Sequence, residues 1–258
     1  MKKQVMRTEV RGRPVNLGVY VNADEIAVAL WKQRSIELAE YRVRVDERSL
    51  RDFASRSGLL NRRFTRRRML LDHRFVGTEF HLLRTGHLDH FAQLLAAYLC
   101  DQLLVQRVQF SFETVFSHPS KLALMRRAME AGYKVYLYFI ATNSAEINVD
   151  RVRIRVANGG HDVPREKVVE RYGRSLKQLL PAIDLCYHAF VFDNSTAFDG
   201  GPSEPLLFAE MKQAEIGRVW SWDTRRVPDW FVRDYLIASG EPIYLDVARK
   251  VLEQRGAA

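Results

Sequence analysis

Three groups of side chains in this 258-residue sequence are suited to chemistry. The first is Asp24, just beyond the short β-rich run Leu17 to Val21. Carboxylates at the C-terminal ends of parallel strands face the crevice where ligands bind, and Asp24 there can accept a proton from a substrate hydroxyl. Asn22 and Asp24 are equally suited to capping the helix that follows, and the two roles are compatible. The second group is Glu113, Thr114 and Ser117, which also follow a strand end. A carboxylate and two hydroxyls can orient a sugar or a metal-bound phosphate; the plainer reading is capping of the next helix by Ser117 or Ser120. The third group is cationic. Arg151 and Arg155 are four apart, and Lys167, Arg171 and Arg174 fall at i, i+4 and i+7, so each set shares one helical face. Two such stripes joined by the glycine loop Asn158 to Val163 can close over a polyphosphate, where charge spreads over the transferring oxygens. The same stripes also fit a solvated surface, with ion pairs to Glu166 and Glu170.

The elements that must position these residues follow from hydrophobic period and turn chemistry. Ile26 to Trp31 reads as helix. Leu88 to Leu104 has apolar residues at helical spacing with one buried face. Val108 to Phe112 is a strand, Pro119 marks a helix start and Gly132 its end. Lys134 to Ala141 is a nearly continuous apolar strand of the kind found in parallel sheets. Helices are predicted over Ile147 to Ala157 and Pro164 to Leu180, then a strand over Ala189 to Asp193. Strands alternating with helices give an α/β fold with a mainly parallel sheet and flanking helices. Residues 1–10 read as a short helix, and 41–86 as irregular and arginine-rich. Gly200-Gly201-Pro202 marks a loop. Leu206 to Lys212 and Arg218 to Trp222 read as a hairpin, followed by a helical tail with Trp230, Tyr235 and Tyr244.

Bulk properties narrow the function classes. Two cysteines without a CxxC pair argue against a disulfide framework or a zinc site, and they fit a reducing cytoplasm. His118 and His161 lack metal-ligand partners at suitable spacing, so no metal site is predicted. There is no apolar run after Met1-Lys2-Lys3 to make a secretion signal, and none long enough to span a bilayer. The formal charge of +9 admits nucleic acid, an anionic membrane or phosphorylated small molecules as partners. The run Arg62-Arg63-Phe64-Thr65-Arg66-Arg67-Arg68 is the best nucleic-acid candidate, although only Phe64 offers a stacking ring; an exposed insertion is the plainer reading.

In order along the chain, VNADEIA (Val21 to Ala27), SFETVFSHPSK (Ser111 to Lys121), AGYKVYLYFIAT (Ala131 to Thr142), EINVDRVRIRVANGGHDVP (Glu146 to Pro164), RYGRSL (Arg171 to Leu176) and FDNS (Phe192 to Ser195) resemble the zeta-toxin family of P-loop kinases. The long segment 41–104 resembles chromosomal members. The resemblance implies a kinase core over 1–195, with an insertion at about 41–104 and a lid at about 146–176, and a C-terminal extension over 196–258 packed on it. It implies ATP and Mg²⁺ as cofactors, and transfer of the γ-phosphate to a hydroxyl of a small metabolite such as UDP-N-acetylglucosamine. It further implies a partner antitoxin and a cytoplasmic location. Carried over by position, Asp24 is the catalytic base, Glu113, Thr114 and Ser117 lie at the substrate, and Arg155, Arg171 and Arg174 grip nucleotide phosphates.

One part of the family pattern is missing: GxxxxGK[ST] occurs nowhere in the sequence. A phosphate cradle needs consecutive backbone N–H groups, a lysine and a hydroxyl for Mg²⁺. Gly12-Arg13-Pro14 is a turn and supplies none of them. The expectation is a P-loop kinase-like core without its first strand and Walker A loop, with a helical insertion and a C-terminal hairpin and helices. Such a chain is expected to be truncated and inactive as a kinase. The competing expectations are a degenerate, non-catalytic phospholigand-binding protein and, ranked last, an arginine-rich nucleic-acid-binding protein.

Overall fold

The structure is a computed structural model. It describes residues 16–160, 162–195 and 204–256, and the backbone of 9–10 and 13–14. The chain divides into two compact units, Met1–Thr114 and Val115–Ala258. Most of the helix expected over 1–10, together with Gly12, His161 and the loop Gly200-Gly201-Pro202, lies outside the described residues.

In the first unit, β1 (Glu9–Val10) pairs antiparallel with β2 (Arg13–Pro14). β3 (Val19–Asn22) leads directly into α1 (Ala23–Gln33). Asn22 supplies the cap, its side-chain oxygen accepting from Asp24 N at 2.8 Å, and Asp24 and Glu25 place negative charge in the first turn, where the helix dipole favours it. β4 (Ser35–Glu37) follows, then α2 (Glu47–Arg56), α3 (Arg66–Leu71), β5 (His73–Val76), β6 (Glu79–Leu82) and α4 (Leu88–Val105). β7 (Phe110–Glu113) then pairs parallel with β3, with Asn22 opposite Glu113. Gly18 permits that pairing. Its φ is +60°, and a Cβ there would sit 2.3 Å from the Gln109 carbonyl oxygen, which accepts from Val19 N at 2.9 Å.

The stretch 41–86 is not irregular. It holds α2 and α3, and β5 and β6 join β4 in an antiparallel sheet of order β4-β6-β5. Its elements are three to ten residues long, too short for period counting to reveal. Packing holds them instead: Phe64, Met69, Phe80 and Phe91 are fully buried, and His73 stacks on Phe80 with centroids 5.2 Å apart.

In the second unit, α5 (Ser120–Glu130) leads to β8 (Tyr136–Ala141), then α6 (Ala145–Ala157), α7 (Arg165–Lys177), α8 (Leu179–Asp184) and β9 (His188–Asp193). β8 and β9 are parallel. β10 (Leu206–Gln213) and β11 (Arg218–Trp222) form the expected hairpin, extending the sheet to the order β11-β10-β9-β8. The tail is helical over Asp229–Phe231, Val232–Ile237 and Pro242–Gly256. Its Trp230, Phe231, Tyr235 and Tyr244 share one core with Phe139, Val191 and Met211.

The helix expected to run from Pro164 to Leu180 stops at Lys177. Gln178 turns inward there, buried, and donates its side-chain N–H to the Phe116 carbonyl. The backbone tightens there, Gln178 N donating to the Ser175 carbonyl at 3.1 Å, and this turn separates α7 from α8. Among the described residues, β8 has a strand partner on one side only. The Val135 and Ala141 carbonyls accept from Tyr187 N and Asn194 N on that side, so the backbones of Tyr136, Tyr138 and Ile140 face the open edge.

Candidate active site

The sequence-predicted residues fall into both units. In the first, they gather at the C-terminal ends of the parallel pair β3–β7. Residues two apart on a strand share a face, so Tyr20 and Asn22 stand beside Ser111 and Glu113. The Tyr20 hydroxyl donates to the Glu113 carboxylate, and Asn22 Nδ2 donates to the Tyr20 oxygen at 3.0 Å. Burial, then the Glu113 hydrogen bond, raises the Tyr20 phenol well above its ordinary pKa. It therefore stays protonated and holds Glu113 in place. Ser111 Oγ is buried with no hydrogen-bond partner among the described residues.

Asp24 lies in the first turn of α1 with an exposed side chain. It is not the cap; Asn22 is, which leaves the Asp24 carboxylate available to solvent or ligand. Asn22 thus has two jobs, capping α1 and fixing Tyr20. Sequence reasoning missed Tyr20, whose only local signal is its same-face spacing from Asn22.

Thr114 and Ser117 lie in the loop after β7, both half-buried. Phe116 in that loop has φ +57°, an outlier for a bulky residue that surrounding structure must enforce. Its ring is buried, edge-on to Phe139 at 6.4 Å, and Gln178 holds its carbonyl. Neither Ser117 nor Ser120 caps α5: Ser120 N donates to His118 Nδ1 at 3.2 Å.

In the second unit, α6 and α7 form the predicted hairpin. The turn after α6 is tight, with Gly160 N donating to Arg155 O at 2.9 Å. Both helices are tied to the C-terminal ends of β8 and β9. Arg151 donates to the Asn194 carbonyl at 2.7 Å, and the Tyr172 hydroxyl donates to the Thr142 carbonyl at 2.8 Å. Asp193, which the sequence reading placed at a strand end without giving it a site role, organises this end. It accepts from Ser195 Oγ at 2.6 Å and from Trp230 Nε1 at 3.0 Å.

The three predicted phosphate cations differ in state. Arg174 is exposed and ion-paired with Glu170 at 2.8 Å, the plain outcome that its spacing allowed. Arg155 is exposed at the end of α6. Arg171 is half-buried on α7, with no carboxylate within ion-pair distance among the described residues. A cleft of about 880 Å³ in this unit lies at the other end of the strands, lined by Lys134, Tyr187, Arg218, Trp220 and Trp222, and holds none of the predicted residues.

The guanidinium groups suit phosphate, but the donor set does not make an ATP site of the Walker kind. No glycine-rich loop ending in Lys-Ser or Lys-Thr opens any helix. Among the described residues, no group of three His, Cys, Asp or Glu side chains is placed to hold a metal ion, and no helix is long and apolar enough to cross a membrane.

The chain is α/β with mixed sheets, and the chemistry-bearing residues at the C-terminal ends of its parallel pairs are consistent with a P-loop-kinase-like fold. The family model for zeta toxin matches residues 84–198, less than half of the chain. The match takes in Glu113, Thr114, Ser117 and the three arginines; Asp24 lies before it. An uncharacterized protein of Haemophilus influenzae is 37% identical over 67 residues, which are 26% of this chain and 48% of that protein. The chain thus spans about half the length of the curated relative it matches. No solved structure matches.

Proposed function

We propose that this chain carries the substrate-binding and lid portions of a zeta-toxin-type phosphotransferase. Its substrate would be a hydroxyl-bearing phosphorylated metabolite of the nucleotide-sugar class, UDP-N-acetylglucosamine being the family's example. The observation that carries the reading is the Tyr20–Glu113–Asn22 cluster beside Asp24. A carboxylate fixed by a protonated phenol presents its remaining lone pairs in a set direction, as sugar hydroxyls require. Asp24, exposed at the same strand ends, is the group to accept the substrate hydroxyl proton. Thr114 and Ser117 supply further hydroxyls from the loop after β7; in the second unit Arg155, Arg171 and Arg174 are the cations suited to phosphate, and among the described residues Arg171 has no carboxylate beside it. Residues 1–195 would form this core and 196–258 an extension on it. ATP and Mg²⁺ would serve a complete enzyme; an antitoxin partner and a cytoplasmic location belong to the same reading.

The missing cradle favours a second reading, a protein that binds such a ligand without turning ATP over. Titration calorimetry with UDP-N-acetylglucosamine should show binding by this chain, weakened about tenfold by Glu113→Gln, which is roughly 1.4 kcal/mol. No ADP should form with ATP present. Absence of binding at millimolar ligand sinks both readings, and phosphorylated product made by this chain sinks the non-catalytic one. An in-frame GxxxxGK[ST] coding segment upstream of Met1 would favour the enzyme.

A further inference from the structure

Unit Met1–Thr114 carries most of the excess charge: it has 20 lysines and arginines against 13 aspartates and glutamates. Five of those arginines, Arg62, Arg63, Arg66, Arg67 and Arg68, fall within seven residues, and all five are exposed. Elsewhere arginines are commonly neutralised, as Arg51 is by Glu47, Arg56 by Asp101, Arg153 by Asp150 and Arg249 by Asp246. None of these five has a carboxylate within 4 Å among the described residues. The nearest carboxylate in sequence, Asp72, is buried and already engaged by Arg84 at 3.5 Å and His87 at 3.3 Å.

The backbone beneath the five is fixed. Asn61 Oδ1 accepts from Arg63 N at 2.8 Å and from Phe64 N at 3.0 Å. The Arg63 carbonyl meets His87 Nε2 at 3.0 Å, and Thr65 caps α3. Phe64 is fully buried, 4.9 Å from Phe91 and 5.2 Å from His90 by ring centroids. Three of the arginines occupy the first turn of α3, the end of a helix where cations are disfavoured. Uncompensated like charge on a rigid base breaks a local rule of stability, and such breaks mark function.

We infer that this patch binds the phosphate backbone of double-stranded nucleic acid without reading its sequence. Arginine forks fit phosphate oxygens in pairs, and a pre-set backbone avoids the ordering cost of binding. Phe64 faces the core, so the patch has no ring on which single-stranded bases could stack. α3 has six residues, with Met69 buried, and is too short to seat an amphipathic face in a bilayer. A duplex, with one charge per roughly 1.7 Å of axis, offers phosphates at high density to five exposed arginines within seven residues. This inference is independent of the phosphotransferase reading.

The test is fluorescence anisotropy of the full chain with a labelled mixed-sequence DNA duplex across a potassium chloride series. Each phosphate contact contributes about −0.9 to the slope of log K against log salt. With five contacts the unaltered chain should therefore show a slope of about −4.5. Replacing all five arginines with serine should remove most of it, and Arg66→Ser with Arg67→Ser should reduce its magnitude by roughly 1.8. The double variant keeps the test valid if the fivefold one does not fold by circular dichroism. Arg249→Ser, a paired arginine outside the patch, should change nothing. The inference is overturned by no duplex binding at low salt, by a slope unchanged in the double variant, by a single strand bound as tightly as the duplex, or by phosphatidylserine vesicles bound in place of it.

Discussion

Replacing Tyr20 with Phe keeps the ring and removes one hydroxyl. That hydroxyl donates to Glu113 and accepts from Asn22. A hydrogen bond to a charged group is worth about 1.5–3 kcal/mol and a neutral one about 1 kcal/mol. Glu113 and Asn22 are both half-buried, so water replaces part of each contact. The net cost to stability should be about 1–2 kcal/mol, or a fall in Tm on the order of 5 °C for a unit of this size. Ligand affinity should fall by more than stability alone explains, because Glu113 loses its fixed direction. The discriminating assay is a double-mutant cycle in which Tyr20→Phe and Glu113→Gln are measured singly and together by calorimetry with the nucleotide sugar. Residues acting through one contact show coupling above about 0.5 kcal/mol. If the two effects simply add, Tyr20 does not position Glu113 and the reasoning fails.

Among the arginines proposed for phosphate, Arg171→Ala should weaken binding of a phosphorylated ligand roughly tenfold, while Arg174→Ala, which removes a side chain already held by Glu170, should change it less than twofold; calorimetry on the two variants reads the difference, and the reverse order would show that the pair opens on binding. Cys186 is buried, and burial pushes its thiol up to about 12. A thiol with a raised folded pKa stabilises the fold fully below its unfolded value near 9 and loses that contribution as pH rises toward 12. Cys186→Ala should therefore flatten the alkaline limb of a urea-denaturation pH series above about pH 9, and an equally steep limb would place the alkaline transition elsewhere.

The second unit was the more legible in the sequence. Tyr136 to Ala141 is apolar nearly throughout, and the hairpin from Leu206 to Trp222 has its turn marked by Gly217, so hydrophobic pattern alone located both. The first unit hid its sheet, because β5 and β6 have four residues each, with arginine and histidine among them. Their order comes from Phe64, Phe80 and Phe91 meeting across the chain. Asp24 and Glu113 were visible as carboxylates at strand ends. Tyr20 was not, since its partner lies 93 residues away and no local pattern encodes a contact across a parallel crossover. The states of Arg171 and Arg174 were half legible. The spacing of Glu170 and Arg174 allowed their ion pair, but nothing local showed that Arg171 would be half-buried without a carboxylate beside it.

Among the described residues β8 is paired on one side only, and this has a consequence for how the protein behaves in concentrated solution. An apolar strand whose outward backbone groups lack partners is a template for pairing with another chain. Such contacts grow with concentration and with time spent partly unfolded. Purified stocks should accordingly shed soluble protein on storage faster when concentrated, and a charged replacement such as Tyr138→Lys should slow the loss by making the edge repel its own kind.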